Sequence, residues 1–215
     1  MRANSERTSA AVRASVLALS VACGQSAGAF TVNIAAANPR TVYLQVGVGS
    51  FSGRNFNAGG TPRQNTTVNV VSVTVPAAQV GSGTPQPMTT NSSASTSFYD
   101  GFAFCNLPGQ LYIGGFYRST ANSGAAIVRA TSPAGLVNAS GETIPVSEIR
   151  WTSSGNGDTG AQPFPSGSFT GGNQTIGAIN RNQWAESCHT FSYANTSIVA
   201  AGTYTGRVTY TLSTP

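Results

Sequence analysis

The chain has 215 residues, and only 8% of them are charged, against about 25% in an ordinary soluble domain. All 11 basic residues are Arg, 6 residues are acidic, and Gly (25) and Pro (11) are abundant. This composition excludes a coiled coil, a charged helical bundle and a collagen, and there is too little charge to hold the chain disordered.

Arg2, Arg7 and Arg13 precede an apolar run, Ser15–Ala22, and then the small residues Ala27-Gly28-Ala29. Basic, apolar and small in that order is the secretory pattern. Residues 1–29 are therefore expected to be a signal peptide and residues 30–215 one secreted domain. The apolar run is too short to span a bilayer as a helix. A mitochondrial-type presequence is an alternative. Lipidation at Cys23 is another, although Ser20 stands where Leu is usual. Removing Arg2, Arg7, Arg13 and Glu6 lowers the net charge from +5 to about +3. The remaining Arg are scattered, so no basic stripe for nucleic acid is present.

Beyond residue 29 the apolar period is two rather than 3.6. Phe30, Val32 and Ile34 alternate within 30–35, and Val42, Leu44, Val46 and Val48 within 41–48. A longer run, 66–75, ends at Pro76. Runs at 101–105 and 111–117 flank Asn106-Leu107-Pro108-Gly109, a turn signature. Further strands are expected at 125–130, 143–151, 174–179 and 187–193; no convincing helix appears, and residues 180–187 offer at most a turn or two. The last run, 203–212, places Tyr204, Gly206, Val208, Tyr210 and Leu212 on one face. Gly-, Ser-, Asn- and Pro-rich stretches at 49–65, 81–97 and 152–173 read as loops. About ten short strands with polar turns predict an all-β fold, a single antiparallel β-sandwich of immunoglobulin-like or related type.

Cys105 and Cys188 are the two cysteines past residue 29. In an oxidising compartment they are expected to form a disulfide. Two separate buried thiols are the alternative. With His189 they offer three metal ligands at most and no ligand-pair spacing, so no metal and no cofactor is expected.

Little points to catalysis. His189 is the only histidine, with Asp100 and Asp158 as paper partners, and residues 30–215 hold no G-x-S-x-G elbow. Glu142 and Glu148 bracket a strand, yet nothing marks them or Glu186 as a glycosidase pair. The loop around Asp158 has one carboxylate, too few for an EF-hand-like calcium loop. The chain is not expected to be an enzyme. Most aromatic residues, Trp151, Tyr99, Tyr112, Phe116 and Tyr117 among them, follow strand periodicity and are expected in the core. Trp184 and Phe164 lie in polar segments and are the candidates for stacking on a glycan. Sequons begin at Asn65, Asn91, Asn138, Asn173 and Asn195; they matter only in a eukaryotic secretory pathway.

The C-terminal stretch Ala201-Gly-Thr-Tyr-Thr-Gly-Arg-Val-Thr-Tyr-Thr-Leu-Ser213 resembles the last strand of bacterial chaperone–usher pilin subunits, including the spore coat protein U-like and CS1/CFA-like groups. The start, Phe30-Thr-Val-Asn-Ile34, is similar to an N-terminal donor strand of such subunits. The resemblance implies an incomplete immunoglobulin-like sandwich completed by a neighbour's strand. Residues 30–36 would be the donor strand, with Phe30, Val32 and Ile34 as its plugs. Val208, Tyr210 and Leu212 would line the accepting groove. It implies a cell-surface fibre or coat subunit that passes through the periplasm. Its partners would be copies of itself or related subunits, a periplasmic chaperone and an outer-membrane usher. Family disulfides commonly join an early cysteine to the middle of the domain, unlike the pairing expected here, and residues 30–215 are long for a major subunit. The alternative is a secreted monomeric sandwich that binds carbohydrate or acts as an adhesin module.

Overall fold

The computed structural model describes residues 30–121, 124–158 and 160–215. The expected signal peptide, its processing site and Cys23 lie outside the described residues. The described chain is all-β and every strand pairing is antiparallel.

In chain order the strands are β1 (Thr31–Asn33), β2 (Thr41–Val46), β3 (Phe51–Ser52), β4 (Thr61–Pro62), β5 (Val71–Ser72), β6 (Gln86–Pro87), β7 (Thr89–Thr90) and β8 (Leu111–Arg118). Then come β9 (Ala126–Ser132), β10 (Gly135–Val137), β11 (Thr143–Pro145), β12 (Ile149–Ser154), β13 (Gly167–Ser168), β14 (Gly172–Ile179), β15 (Gln183–Tyr193) and β16 (Thr209–Ser213). Two single-turn 3-10 helices, Ala77–Gln79 and Val146–Glu148, are the helical elements among the described residues.

A seven-stranded sheet is built around β15. β12 and β1 share one edge of β15, and β8 and β6 share the other, with β13 beyond β12 and β2 beyond β8. A three-stranded sheet, β14-β9-β16, packs over one face of it. The core between the sheets takes Ile113 and Tyr117 from β8, Ala185 and Phe191 from β15, Ala126, Val128 and Ala130 from β9, and Ile176 and Ile179 from β14. In β9 the period is clean, with Ala126, Val128, Ala130 and Ser132 inward. In β14 a bulge between Thr175 and Gly177 breaks the register, the local effect of one extra residue.

β8 and β15 do not alternate in burial. All residues from Leu111 to Tyr117 and from Trp184 to His189 are buried, because the large sheet is covered on both faces. On the second face loops supply the cover. Phe51, Phe56, Phe98, Tyr99 and Phe104 pack over Tyr43, Tyr112, Phe116 and Trp184, with neighbouring ring centroids 5.2–6.3 Å apart. Cys105 and Cys188 join this layer through a disulfide with a Cα–Cα distance of 5.5 Å, inside the usual range.

Several expected elements are corrected. Residues 180–187 are not helical: Asn182 takes a left-handed φ of 58°, and β15 starts at Gln183. Partners on both edges of 183–187 override a weak local preference. Within 66–75 only Val71–Ser72 pairs, with Thr89–Thr90. Of 101–105 only Ala103 bridges, to Thr96. The 143–151 run is broken by the 3-10 turn after Pro145. The last strand begins at Thr209 rather than Thr203. The stretches read as loops hold β3, β4, β6, β7 and β13, each two residues long, with half of β12 and the first two residues of β14, which is why the strands exceed the expected number.

Candidate functional site: the half-covered side of the core

One side of the inter-sheet core is less well covered than the rest. At this side stand β16, which pairs only with β9 among the described residues, and β2, which pairs only with β8. Val208, Tyr210 and Leu212 point at the core as the alternation predicted, and each is only half-buried. Leu44, Val46, Val71, Val73 and Val75 join them, also partly buried against the same cluster. Val42, in the inward parity of β2, is 47% exposed, and Val68 and Val70 are 60% and 52% exposed. The two strands are tied at one end, where Arg40 Nη1 donates to Pro215 O at 3.0 Å. An edge strand with unpaired backbone groups beside half-covered apolar side chains can add one more extended segment, its backbone on the ladder and alternate side chains on the core.

The N-terminal segment lies elsewhere. Thr31, Val32 and Asn33 pair with Ala185, Trp184 and Gln183 of the same chain. Phe30 enters the aromatic layer, edge-on to Phe104 at 5.6 Å and to Tyr99 at 6.3 Å. Val32 and Ile34 are half-buried. The structure thus does not bring Phe30, Val32 and Ile34 to Val208, Tyr210 and Leu212.

The glycan candidates are corrected. Trp184 and Phe164 are both 0% exposed, so neither has a face for a sugar. Trp184 is held under the loop aromatics, and its Nε1 donates to Glu186 Oε2 at 3.0 Å. Phe164 folds from its loop into the inter-sheet core, beside Gly177, where a Cβ would come within 2.6 Å of its ring.

The polar residues are mostly structural supports. His189 is fully buried, stacked on Trp151 at 5.6 Å, with Nε2 3.1 Å from Phe164 O. Burial lowers its pKa to about 4, so the ring is neutral at pH 7. Glu148 accepts from Thr196 N at 2.9 Å, from Thr196 Oγ1 and from Ser197 Oγ. Glu142 accepts from Asn138 Nδ2 at 2.7 Å and Tyr204 Oη at 3.3 Å. Asp100 and Asp158 line a shallow hollow of about 350 Å³ with Ser97, Phe30, Phe102 and Phe104. No group of three His, Cys, Asp or Glu side chains able to hold a metal occurs among the described residues.

Sequence reasoning missed one network. Glu186 is fully buried on the aromatic face and accepts from Tyr112 Oη as well as Trp184. Burial raises its pKa to about 7, with hydrogen bonds from Tyr112, Ser97 and Trp184 pulling the other way. Burial and the Glu186 charge push the Tyr112 phenol well above its usual value. Gly114, opposite Glu186 in the ladder, makes the room: a Cβ there would lie 2.4 Å from Tyr112 Oη. The signal was present in Trp184, Glu186 and Cys188, which share one parity with a charge in the middle of an otherwise uncharged strand.

Among the described residues no helix is long and apolar enough to cross a membrane. Comparison with protein-family models, curated proteins and solved structures finds no match to this chain.

Proposed function

We propose that the chain is a structural subunit of a bacterial surface fibre or coat, exported and assembled by β-strand complementation with copies of itself or related subunits. A periplasmic chaperone and an outer-membrane usher would handle it in transit. The observation that carries this reading is the half-covered side of the core. There the edge of β16 that no strand among the described residues pairs stands beside half-buried Val208, Tyr210 and Leu212 and the extended valines of 71–75. A strand laid on this edge buries apolar surface at roughly 25 cal/mol per Å² and satisfies backbone groups together. The polar, nearly charge-free exterior suits close packing between subunits.

The test is the apparent mass of protein recovered from the cell envelope, run without boiling and again after boiling. Strand-complemented assembly gives a ladder of multimers that collapses on heating. Leu212→Arg and Tyr210→Arg place a charge on the accepting edge and are expected to abolish the ladder. The monomer should retain its disulfide and its far-UV spectrum. A single monomeric species from the unsubstituted protein, before and after heating, overturns the reading.

A further inference from the structure

β1 is butted against another strand at its start. β12 and β1 lie end to end on one edge of β15. Ser154, the last residue of β12, faces Cys188, and Thr31, the first of β1, faces Ala185. Two positions of β15 lie between them, Glu186 and Ser187. Phe30 takes the first, its carbonyl accepting from Glu186 N at 3.3 Å. Gly155 follows Ser154 towards the second and turns away there. Its N–H donates to Asp158 O and its carbonyl accepts from Asp158 N, both at 2.8 Å. Strand residues are spaced about 3.3 Å apart, so this edge has room for at most one residue ahead of Phe30. At its other end β1 stops at Asn33, and residues 34–40 arch over to β2.

The start of β1 opens on the hollow of about 350 Å³. Phe30 forms one wall, Asp100 stands in a second, and Gly155, Asn156 and Asp158 make a third. Both loops are braced. Thr96 bridges Ala103, and Asp100 Oδ1 accepts from Phe102 N at 3.0 Å. Asn156 and Gly157 take left-handed φ of 48° and 86°, the geometry of a two-residue hairpin. Asp158 Oδ1 accepts from Gly160 N at 2.8 Å. No basic side chain is among the described residues that line the hollow. Arg54 lines a neighbouring hollow that shares Ser97 with this one.

We propose that the cation for Asp100 and Asp158 is the α-ammonium of Phe30, created when the chain is cut after Ala29. Hydrolysis of the Ala29–Phe30 peptide bond consumes one water and leaves the carboxylate on Ala29 and the amine on Phe30. Two independent observations meet at this residue. The basic, apolar and small residues of 1–29 set the expected cut, and the register of β1 and β12 sets the point where the edge runs out. A peptide N–H at residue 30 is one neutral donor. An ammonium is three donors with a charge, and charge-assisted hydrogen bonds to carboxylates are the stronger kind. The other titratable groups around residue 30 are Glu186 and Tyr112 in the sheet and Tyr99 in the aromatic layer, and none is basic. Neighbouring carboxylates hold an amine in its charged form. Processing thus locks the start of β1 by charge. This proposal rests on the expected cut and is independent of the β16 edge.

The chain has no Lys, so its α-amine is the only primary amine and an amine-selective reagent reads it alone. The full chain is expressed in an exporting bacterial host and recovered from the cell envelope. Intact mass and N-terminal sequencing are expected to place the start at Phe30. Trace acetylation with acetic anhydride between pH 6 and 10 then compares the folded protein with the same protein in urea. The folded amine is expected to titrate about one pH unit above its usual value of about 8, and to react about 10-fold more slowly than in urea below pH 7. Asp100→Asn combined with Asp158→Asn keeps the oxygen that caps each turn and removes both charges. It is expected to bring the rate close to that in urea. A start at any residue other than Phe30 overturns the proposal. So does a folded amine that titrates at or below its value in urea, a reading that needs no variant. A double variant that keeps its disulfide yet reacts as slowly as the unsubstituted protein overturns it too, because burial alone then protects the amine.

Discussion

The large sheet has two faces, and the chain covers them by different means. Against the three-stranded sheet the cover is regular: β9 alternates, aliphatic side chains interdigitate, and the core runs out half-covered beside β16. On the other face loops around residues 49–62 and 95–106 bring phenylalanines and tyrosines down onto Tyr112, Phe116 and Trp184. That second layer has few ladder bonds, yet Tyr112, Trp184 and Cys188 beneath it are fully buried. A layer without regular strands can therefore exclude water when large rings fill it and a covalent link fixes it. The regular layer is the one left with an edge that no strand among the described residues pairs.

The largest expected effect breaks the irregular layer. The disulfide joins residues 83 apart in sequence, and for such a loop chain-entropy reasoning gives roughly 4–5 kcal/mol, with measured values often lower. Replacing Cys105 and Cys188 by Ser is expected to cost about 3–4 kcal/mol in urea unfolding. The loss should fall on the aromatic face. Limited proteolysis should cut first within 49–62 or 95–106, while the amides of β9 and β14 stay protected.

The next effect separates the faces by pH. Glu186 on the aromatic face has its pKa raised from 4.5 to about 7, and His189 on the inter-sheet face has its pKa lowered from 6.5 to about 4, both chiefly by burial. Between pH 4.5 and 7 the folded chain holds a proton on Glu186 that the unfolded chain has released, so this contribution is lost as pH rises. Between pH 6.5 and 4 the unfolded chain takes up a proton that buried His189 refuses, so this contribution is lost as pH falls. Each is on the order of 3 kcal/mol, and from pH 4.5 to 6.5 the two slopes oppose. Glu186→Gln should remove one slope. Its urea midpoint should change little at pH 4, exceed that of the unsubstituted protein at pH 8, and rise with pH between 4 and 6.5. A variant whose pH profile parallels that of the unsubstituted protein would show that Glu186 does not titrate in this range.

This contrast also explains what the sequence revealed and what it hid. The strands β2, β9 and β16, and β14 up to its bulge, were legible because each packs a face by a period of two; β8, buried on both faces, was marked by the Asn106–Gly109 turn before it. Val208, Tyr210 and Leu212 follow the same period and pack against the inter-sheet cluster. Residues 183–187 were not legible as strand, because in β15 both parities are buried and the alternation vanishes. Trp184 looked exposed for the same reason: its neighbours in sequence are polar, and its cover comes from Phe51, Phe56 and Tyr99. Glu186 was one carboxylate among several, because Trp184 shares its parity but its other partner, Tyr112, lies 74 residues away in sequence. The Cys105–Cys188 link was legible from cysteine count and an expected oxidising compartment, but its place in the aromatic layer was not.

A smaller effect compares adjacent glycines of β8. Gly114 faces the aromatic layer, where a Cβ would strike the Tyr112 phenol at 2.4–2.8 Å. At Gly115 a Cβ would meet the backbone of β2, with Tyr43 O at 2.2 Å. Overpacking by one methyl typically costs about 1–3 kcal/mol. Gly114→Ala is expected near 2 kcal/mol on that scale, with the Tyr112–Glu186 contact disturbed and the Glu186-linked pH slope altered. Gly115→Ala should sit at the upper end, because a strand cannot rotate aside as a ring can, and should leave that slope intact. Urea titrations at pH 5 and pH 8 check both.

Smallest in free energy is Arg118→Ala. The guanidinium lies over the Phe56 and Phe116 rings and grips two carbonyls of the 34–40 arch, so about 1 kcal/mol is at stake. That is too little to shift global unfolding clearly, and the effect should be local. Hydrogen exchange reads it directly. The amides of Ile34 and Glu186, which bond to Asn182 and Phe30 across the β1–β15 pairing, should exchange about 5-fold faster if that 1 kcal/mol holds β1 in place. The amides of β9, which bond across the opposite layer, should not change. Equal acceleration in both layers would mean that Arg118 stabilises the whole sandwich. No acceleration at either amide would mean that the ladder and Phe30 hold the segment without it.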